Sequence, residues 1–293
     1  MTDLTTTTGA AVRPAARADP PARRISKHAL LIVFGVVMIY PLLWMVSSSV
    51  KPTEVIFRDP SIWPREFDLG NYTGGWTALE HPFQHYLWNS AVIAIASIVG
   101  NLLSCSLAAY AFARLEFRGR RILFAAMLAT MMLPIHVLIV PQYVLFSQLD
   151  WINTSLPLIV PKFLATDAFF IFLMVQFIRS LPRELDEAAR MDGCGHVRIY
   201  WRIIMPLSVP ALATSALFTF IWTWNDFFSQ LIFLTNPDLY TVPVALRSFM
   251  DGQGETAWGQ LFAMSVVGLA PIFGFFLAGQ RYLTQGLATT GLK

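Results

Sequence analysis

Long apolar stretches alternate with short polar ones from residue 29 to the end of the chain. Six of them, Ala29–Val50, Ser90–Ala113, Ile122–Phe146, Leu156–Ile178, Leu207–Ile232 and Leu261–Gln280, run for 20–26 residues with few charges. About 20 apolar residues in a helix cross roughly 30 Å of hydrocarbon, so each stretch predicts a membrane span. The longest piece between them, Lys51–Asn89, has 39 residues, too few for a compact domain of about 100. The pattern therefore predicts an all-α, six-span transmembrane helical bundle with no fused ATPase, kinase or binding domain. The first 28 residues are rich in Thr, Ala, Pro and Arg and carry no apolar period, which predicts a disordered cytoplasmic tail at 1–28. Residues 29–293 are then the membrane domain. The 22-residue first run is longer than a signal-peptide core of about 7–15 residues and lacks a small-residue cleavage site behind it, so it reads as an uncleaved anchor.

Composition agrees with the pattern. The 293 residues are 55% apolar and 13% charged, with mean hydropathy +0.55, against about 25% charged in a soluble domain. The distribution of cations sets an orientation. One face, holding the N-terminus, residues 114–121, residues 179–206 and the C-terminus, carries 16 of the 21 Lys and Arg. The other carries Lys51, Arg58, Arg65, Arg247 and, in the outer half of span four, Lys162. Cations are retained on the cytoplasmic side, so both termini are expected in the cytoplasm. The net charge of +3 is then topological, and no nucleic-acid partner is called for.

Enzyme chemistry lacks its parts. There is no P-loop and no GxGxxG pattern, and no metal or cofactor is predicted. His81 and His85 have the i,i+4 spacing of ligands on one helix face. Pro82 between them, and the aromatic residues around them, favour an amphipathic stretch resting at the outer interface. Asn71-Tyr72-Thr73 and Asn153-Thr154-Ser155 match a glycosylation pattern that chance also produces. Cys105 and Cys194 have no paired-motif spacing, so no disulfide is implied. Charges within the spans are Lys162, Asp167 and Asp226. Lys162 and Asp167 lie near the outer end of span four, where both can snorkel to water. Asp226 follows Trp222, Trp224 and Asn225, and an intramembrane carboxylate is a functional candidate because its burial is costly. Trp224, Asn225 and Asp226 are therefore the candidates for a translocation pathway. A secondary transporter using Asp226 as an ion or proton site is the alternative, and a membrane-embedded enzyme would need ligand histidines within the spans, where only His136 stands.

The most informative polar stretch is Arg179–Pro206. Pro182 suits the first turn of a helix and Gly193 its left-handed C-terminal cap. Leu185, Ala188 and Ala189 fall on one narrow face, and Arg183–Glu187 and Asp186–Arg190 form i,i+4 pairs. A second stretch, His196–Ile204, runs on to Pro206. A short capped helix, a sharp turn and a second helix outside the bilayer form a surface made to lie against something.

Glu187-Ala188-Ala189, three residues, Gly193, nine residues and Ile203-Ile204-Met205-Pro206 resemble the EAA motif of binding-protein-dependent ABC importer permeases. Met205 stands where the family usually has Leu, a volume-conserving exchange. Ser49–Pro52, Ala108–Arg114, Trp222–Phe227 and Gly279–Gly286 resemble the smaller permease subunit of the carbohydrate-uptake branch. The likeness covers about residues 28–293. It implies a type I importer in a bacterial or archaeal cytoplasmic membrane. Its partners would be a second permease, two ATP-binding subunits and an extracytoplasmic solute-binding protein. It also implies that Glu187, Ala188, Ala189, Asp192 and Gly193 belong to a coupling helix that docks on the ATPase, that ATP hydrolysis resides in that separate subunit, and that the cargo is a sugar or oligosaccharide.

Overall fold

The structure, a computed structural model, describes residues 21–250 and 257–288. Residues 1–20, most of the predicted tail, lie outside the described residues, and helix α1 (Pro21–Ser48) already runs through residues 21–28. Every regular element among the described residues is helical. After α1 come α2 (Gly70–Thr77), α3 (Phe83–Arg114), α4 (Arg120–Thr130), α5 (Ile135–Gln148) and α6 (Leu156–Ile159). Then follow α7 (Ala168–Ser180), α8 (Glu184–Met191), α9 (His196–Ile199), α10 (Met205–Leu207) and α11 (Val209–Asn225). The chain closes with α12 (Phe228–Phe233), α13 (Val242–Ser248) and α14 (Trp258–Ala288).

Among the described residues four segments are long and apolar enough to cross a membrane: Ser26–Ser48, Phe83–Arg114, Leu156–Ser180 and Trp258–Arg281. A fifth forms if His196–Leu207 and Val209–Asn225, bent by 76° at Ser208, count as one span. Four or five such spans among the described residues stand against the six expected from hydropathy, and three of the six stretches are interrupted. The third stretch, Ile122–Phe146, divides into α4 and α5, of 11 and 14 residues, at Met131–Pro134. Proline removes a backbone donor and forces the residue before it out of the helical region. The fifth, Leu207–Ile232, stops at Asn225 and restarts at Phe228. The fourth is interrupted too: a 3₁₀ turn over Val160–Leu164 and a left-handed Ala165 (φ +55°) separate α6 from α7.

The 32-residue α3 is the axis. At about 1.5 Å per residue it is roughly 48 Å long, and two cores lie along it. Towards its start, Phe83, Tyr86 and Ala94 pack with Phe220 and Trp224 of α11, Val242 and Ala245 of α13, and Ala263 and Met264 of α14. Towards its end, Cys105, Ala109, Tyr110 and Ala113 pack with Phe170, Met174 and Ile178 of α7. Gly100 lets the 3₁₀ turn approach, because a Cβ there would stand 2.5 Å from the Phe163 ring. Helix α1 packs on α14 only near its end, through Trp44 and Phe262; Leu30–Tyr40 are 43–71% exposed wherever they are large and apolar, a surface suited to lipid or another chain rather than to water.

Candidate functional site

The predicted cytoplasmic helix is α8, and it ends as its glycine requires. Gly193 has φ +75°. Its N–H donates to Arg190 O at 2.9 Å and the Cys194 N–H donates to Ala189 O at 2.9 Å. These two bonds are the Schellman pair, which satisfies carbonyls a helix end leaves open. Glu184, Asp186 and Glu187 occupy the first turn, the favourable end of the helix dipole for carboxylates. Pro182 lies just ahead of the helix, outside its first turn.

The face formed by Leu185, Ala188 and Ala189 in the sequence reading is split, with only Ala189 turned inward. The inward side is Asp186 and Ala189, both buried. Leu185 and Ala188, assigned to the apolar contact face, are exposed, as are Glu187, Asp192 and Gly193. Asp186 does not serve a local pair with Arg190 but reaches back to the end of α3. Its Oδ2 lies 3.0 Å from Arg114 Nε, with the two side chains 8% and 4% exposed. Arg114 Nη2 also donates to Leu181 O at 2.8 Å, across the turn into α8. Arg114 Nε and Asp186 Oδ1 have no aligned hydrogen bond, so the contact is a close charge pair held by proximity rather than a bidentate fork. This pair was not legible in local spacing.

The second half of the loop anchors itself in the same core. Ile199, Tyr200 and Ile204 are buried with Ala189, Tyr110 and Ile178. Tyr200 and Ser106 share a 2.7 Å hydrogen bond between hydroxyls, and the Tyr110 and Tyr200 rings lie 5.4 Å apart. Tyr200–Ile204 form a π-helical turn between α9 and α10. Pro206 follows one residue later; it cannot bond back to residue 202 and its ring needs space there, which a widened turn provides. Arg179 closes the other side, its guanidinium 5.2 Å from the centre of the Phe124 ring of α4. The outward surface left by this packing carries Leu185, Met191, Val197 and Trp201, which are 38–89% exposed, interspersed with Glu187, Arg190 and Arg198.

The pathway candidates sit at the end of α11. Trp224 is buried, its indole Nε1–H donating to Gly268 O of α14 at 3.1 Å. Its ring stacks on Phe220 at 5.2 Å. Asn225 is exposed and donates to Ile221 O at 2.8 Å. The Asp226 carboxylate accepts the Ser229 N–H at 3.1 Å and so turns the chain into α12. Lys162 and Asp167 do not merely snorkel: Nζ and Oδ2 pair at 2.9 Å across the break before α7. His81 and His85 do not share a helix face, since α3 begins at Phe83 and only His85 is on it. Both matching glycosylation triplets are occupied structurally. The Asn71 amide donates to Ser49 O and Lys51 O, and Asn153 Oδ1 accepts from Thr235 N, Thr235 Oγ1 and Asn236 N. Both cysteines are free.

A helical bundle of this hydropathy, carrying a capped polar helix packed on the end of its longest span, defines a multi-span membrane protein. The comparisons with known proteins define it further. The family described as binding-protein-dependent transport system inner membrane component matches residues 100–288, which include α8 and its cap. The trehalose/maltose transport system permease protein MalG of Thermococcus litoralis is 33% identical over 276 residues, covering 92% of this chain and 98% of the relative. The diacetylchitobiose uptake system permease protein NgcG of Streptomyces coelicolor is 32% identical over 277 residues, covering 94% and 91%. A solved bacterial ABC transporter involved in import of the acidic polysaccharide alginate shares the fold, with a TM-score of 0.79, 23% identity, and coverage of 92% of this chain and all of that one. The chain belongs to the binding-protein-dependent ABC importer permeases. It is a multi-pass membrane subunit of such an importer and not itself its catalyst.

Proposed function

We propose that this chain is the permease of a sugar or oligosaccharide importer and that α8 is its coupling helix, docking through Leu185, Glu187, Ala188 and the Asp192–Gly193 cap on a separate ATP-binding subunit. The observation that carries the reading is the division of α8 into a buried side, Asp186 and Ala189, fixed to α3, and an exposed side free for a partner. A helix bolted to a 32-residue span passes a push at its outer face to the membrane helices. The relatives whose names specify trehalose and maltose, diacetylchitobiose, or arabinooligosaccharides support a carbohydrate cargo.

The complete assembly in this reading has a second permease, two ATPases and an extracytoplasmic solute-binding protein. The broken stretches are full crossings, α4 with α5 and α11 with α12, giving six passes with both termini in the cytoplasm and the tail at 1–28 there too. For the pathway, Asn225 and Asp226 shape the exposed break after α11, and Trp224 holds that break against α14. The test is reconstitution of the chain with its partner subunits in vesicles, followed by ATP-dependent uptake of labelled oligosaccharides. Uptake that needs ATP and binding protein, and that Glu187→Lys abolishes without loss of membrane insertion, is the expected result. Uptake driven by an ion gradient in the absence of ATP would overturn it.

A further inference from the structure

On the side of the molecule where α3 starts, two segments far apart in sequence meet at a cluster that the transport reading does not use. Glu80 and His81 precede α3. Asp238 lies in the 3₁₀ turn Pro237–Leu239, ahead of α13. His81 Nε2 is 2.6 Å from Asp238 Oδ1, and one ligand atom from each of Glu80, His81 and Asp238 lies within 4.8 Å of the others. We propose that Glu80, His81 and Asp238 form a site for a divalent transition-metal ion of the Zn²⁺ class.

Four-coordinate Zn²⁺ holds N and O ligands at about 2.0–2.2 Å, which puts neighbouring ligand atoms roughly 3.3 Å apart. The cluster brackets that separation. An ion entering it takes the place of the proton shared by His81 and Asp238, and the pair opens by less than 1 Å. Two carboxylates and one neutral imidazole balance a divalent charge, and nitrogen with carboxylate oxygen is a donor set such ions accept.

The two halves are held in place without the ion. His85 Nε2 lies 2.6 Å from the Asp238 carbonyl and Asn89 Nδ2 donates to the same carbonyl at 2.9 Å. Asn236 Nδ2 donates to Asp238 Oδ2 at 3.3 Å, and the His81 N–H donates to the Tyr86 hydroxyl at 3.3 Å. Because a carbonyl only accepts, His85 carries its proton on Nε2 and is a neighbour of the site rather than a ligand. His81 is about one-third exposed and Asp238 about three-fifths, which leaves the fourth coordination position open to water. When filled, the site ties the turn before α3 to the segment before α13.

The test uses the full chain, purified in detergent without a histidine tag and stripped with chelator. Zn²⁺ is titrated by calorimetry and Co²⁺ by visible absorption. One saturable equivalent is expected, with d–d bands of a low-coordinate Co²⁺ site. His81→Gln and Asp238→Asn should each weaken binding more than about tenfold, the scale on which even outer-shell partners matter. His85→Gln keeps an N–H donor for the Asp238 carbonyl and removes only an imidazole outside the ligand set, so it should leave binding within about threefold. Absence of saturable binding to the unaltered chain, or equal affinity in the His81 and Asp238 variants, would overturn the proposal, as would loss of binding in His85→Gln alone.

Discussion

Breaking the Arg114–Asp186 pair is the sharpest perturbation the fold offers. At 3.0 Å the two charges attract by about 5–6 kcal/mol at an effective dielectric constant of about 20. Taking both out of water costs several kcal/mol, so the intact pair is worth far less net. Removing one partner keeps the desolvation cost and loses the attraction, a loss of about 3–5 kcal/mol. Asp186→Leu strands the guanidinium, which keeps only the Leu181 carbonyl. Arg114→Met strands the carboxylate. The double variant strands neither, and apolar side chains there extend the core around Ala189 and Tyr110. The assay is hydrogen exchange of the α8 amides, which reads local opening. A 3 kcal/mol loss speeds exchange on the order of 100-fold, since each 1.4 kcal/mol is tenfold. Each single variant should show this, and the double variant should recover most of it. ATPase co-purification should follow the same ranking. Exchange within threefold of the unaltered chain in both single variants, or a double variant as open as the sum of the singles, would refute the claim that this pair bolts α8 to α3.

Other predictions address other parts of the mechanism. Gly193→Val should leave insertion intact but lose ATPase co-purification; a Cβ there meets no atom within 4 Å, so the cost of about 1–2 kcal/mol comes from φ +75° alone, and Gly193→Asn should be milder. Gly100→Ala puts a methyl 2.5 Å from the Phe163 ring and should lower the melting temperature by the equivalent of about 1–3 kcal/mol, with Phe163→Ala relieving it in the double variant. Asp226→Asn keeps an acceptor for the Ser229 N–H while deleting the charge, so the turn should persist and vesicle uptake should fall; unchanged uptake would reduce Asp226 to a turn residue.

How much the sequence disclosed follows the range of the interactions. The α8 cap was legible because a Schellman turn is local: Gly193, Arg190 and Ala189 lie within five residues, and only glycine adopts that φ cheaply. The breaks were half legible. Pro134 is a visible stop inside the third apolar stretch, but hydropathy averages over it. The break at Ala165 is prepared by Pro161 in the preceding turn, but its left-handed residue is not a glycine; it depends on Phe163 finding space at Gly100 and on Lys162 reaching Asp167. Asp186 was assigned to Arg190 by i,i+4 spacing, whereas its true partner comes from the end of another span. Ala189 turns inward, away from Leu185 and Ala188 of its predicted face, for the same reason, since which side faces inward depends on what α3 and α7 present. His81 and Asp238, 157 residues apart, leave no local trace at all.

The central claim is that the exposed side of α8 meets an ATPase in the cytoplasm. Ala188 is exposed at the middle of that side, and Cys194 is half-buried just beyond the cap. With Cys105 and Cys194 replaced by serine and Ala188 by cysteine, a short thiol cross-linker is applied to membranes holding the permease with its ATP-binding subunit. A cross-linked pair whose yield changes when ATP is added, together with no labelling of the cysteine by an impermeant thiol reagent in intact cells, is the result predicted. Ready labelling from outside, with no cross-link to the ATPase in either nucleotide condition, would contradict it.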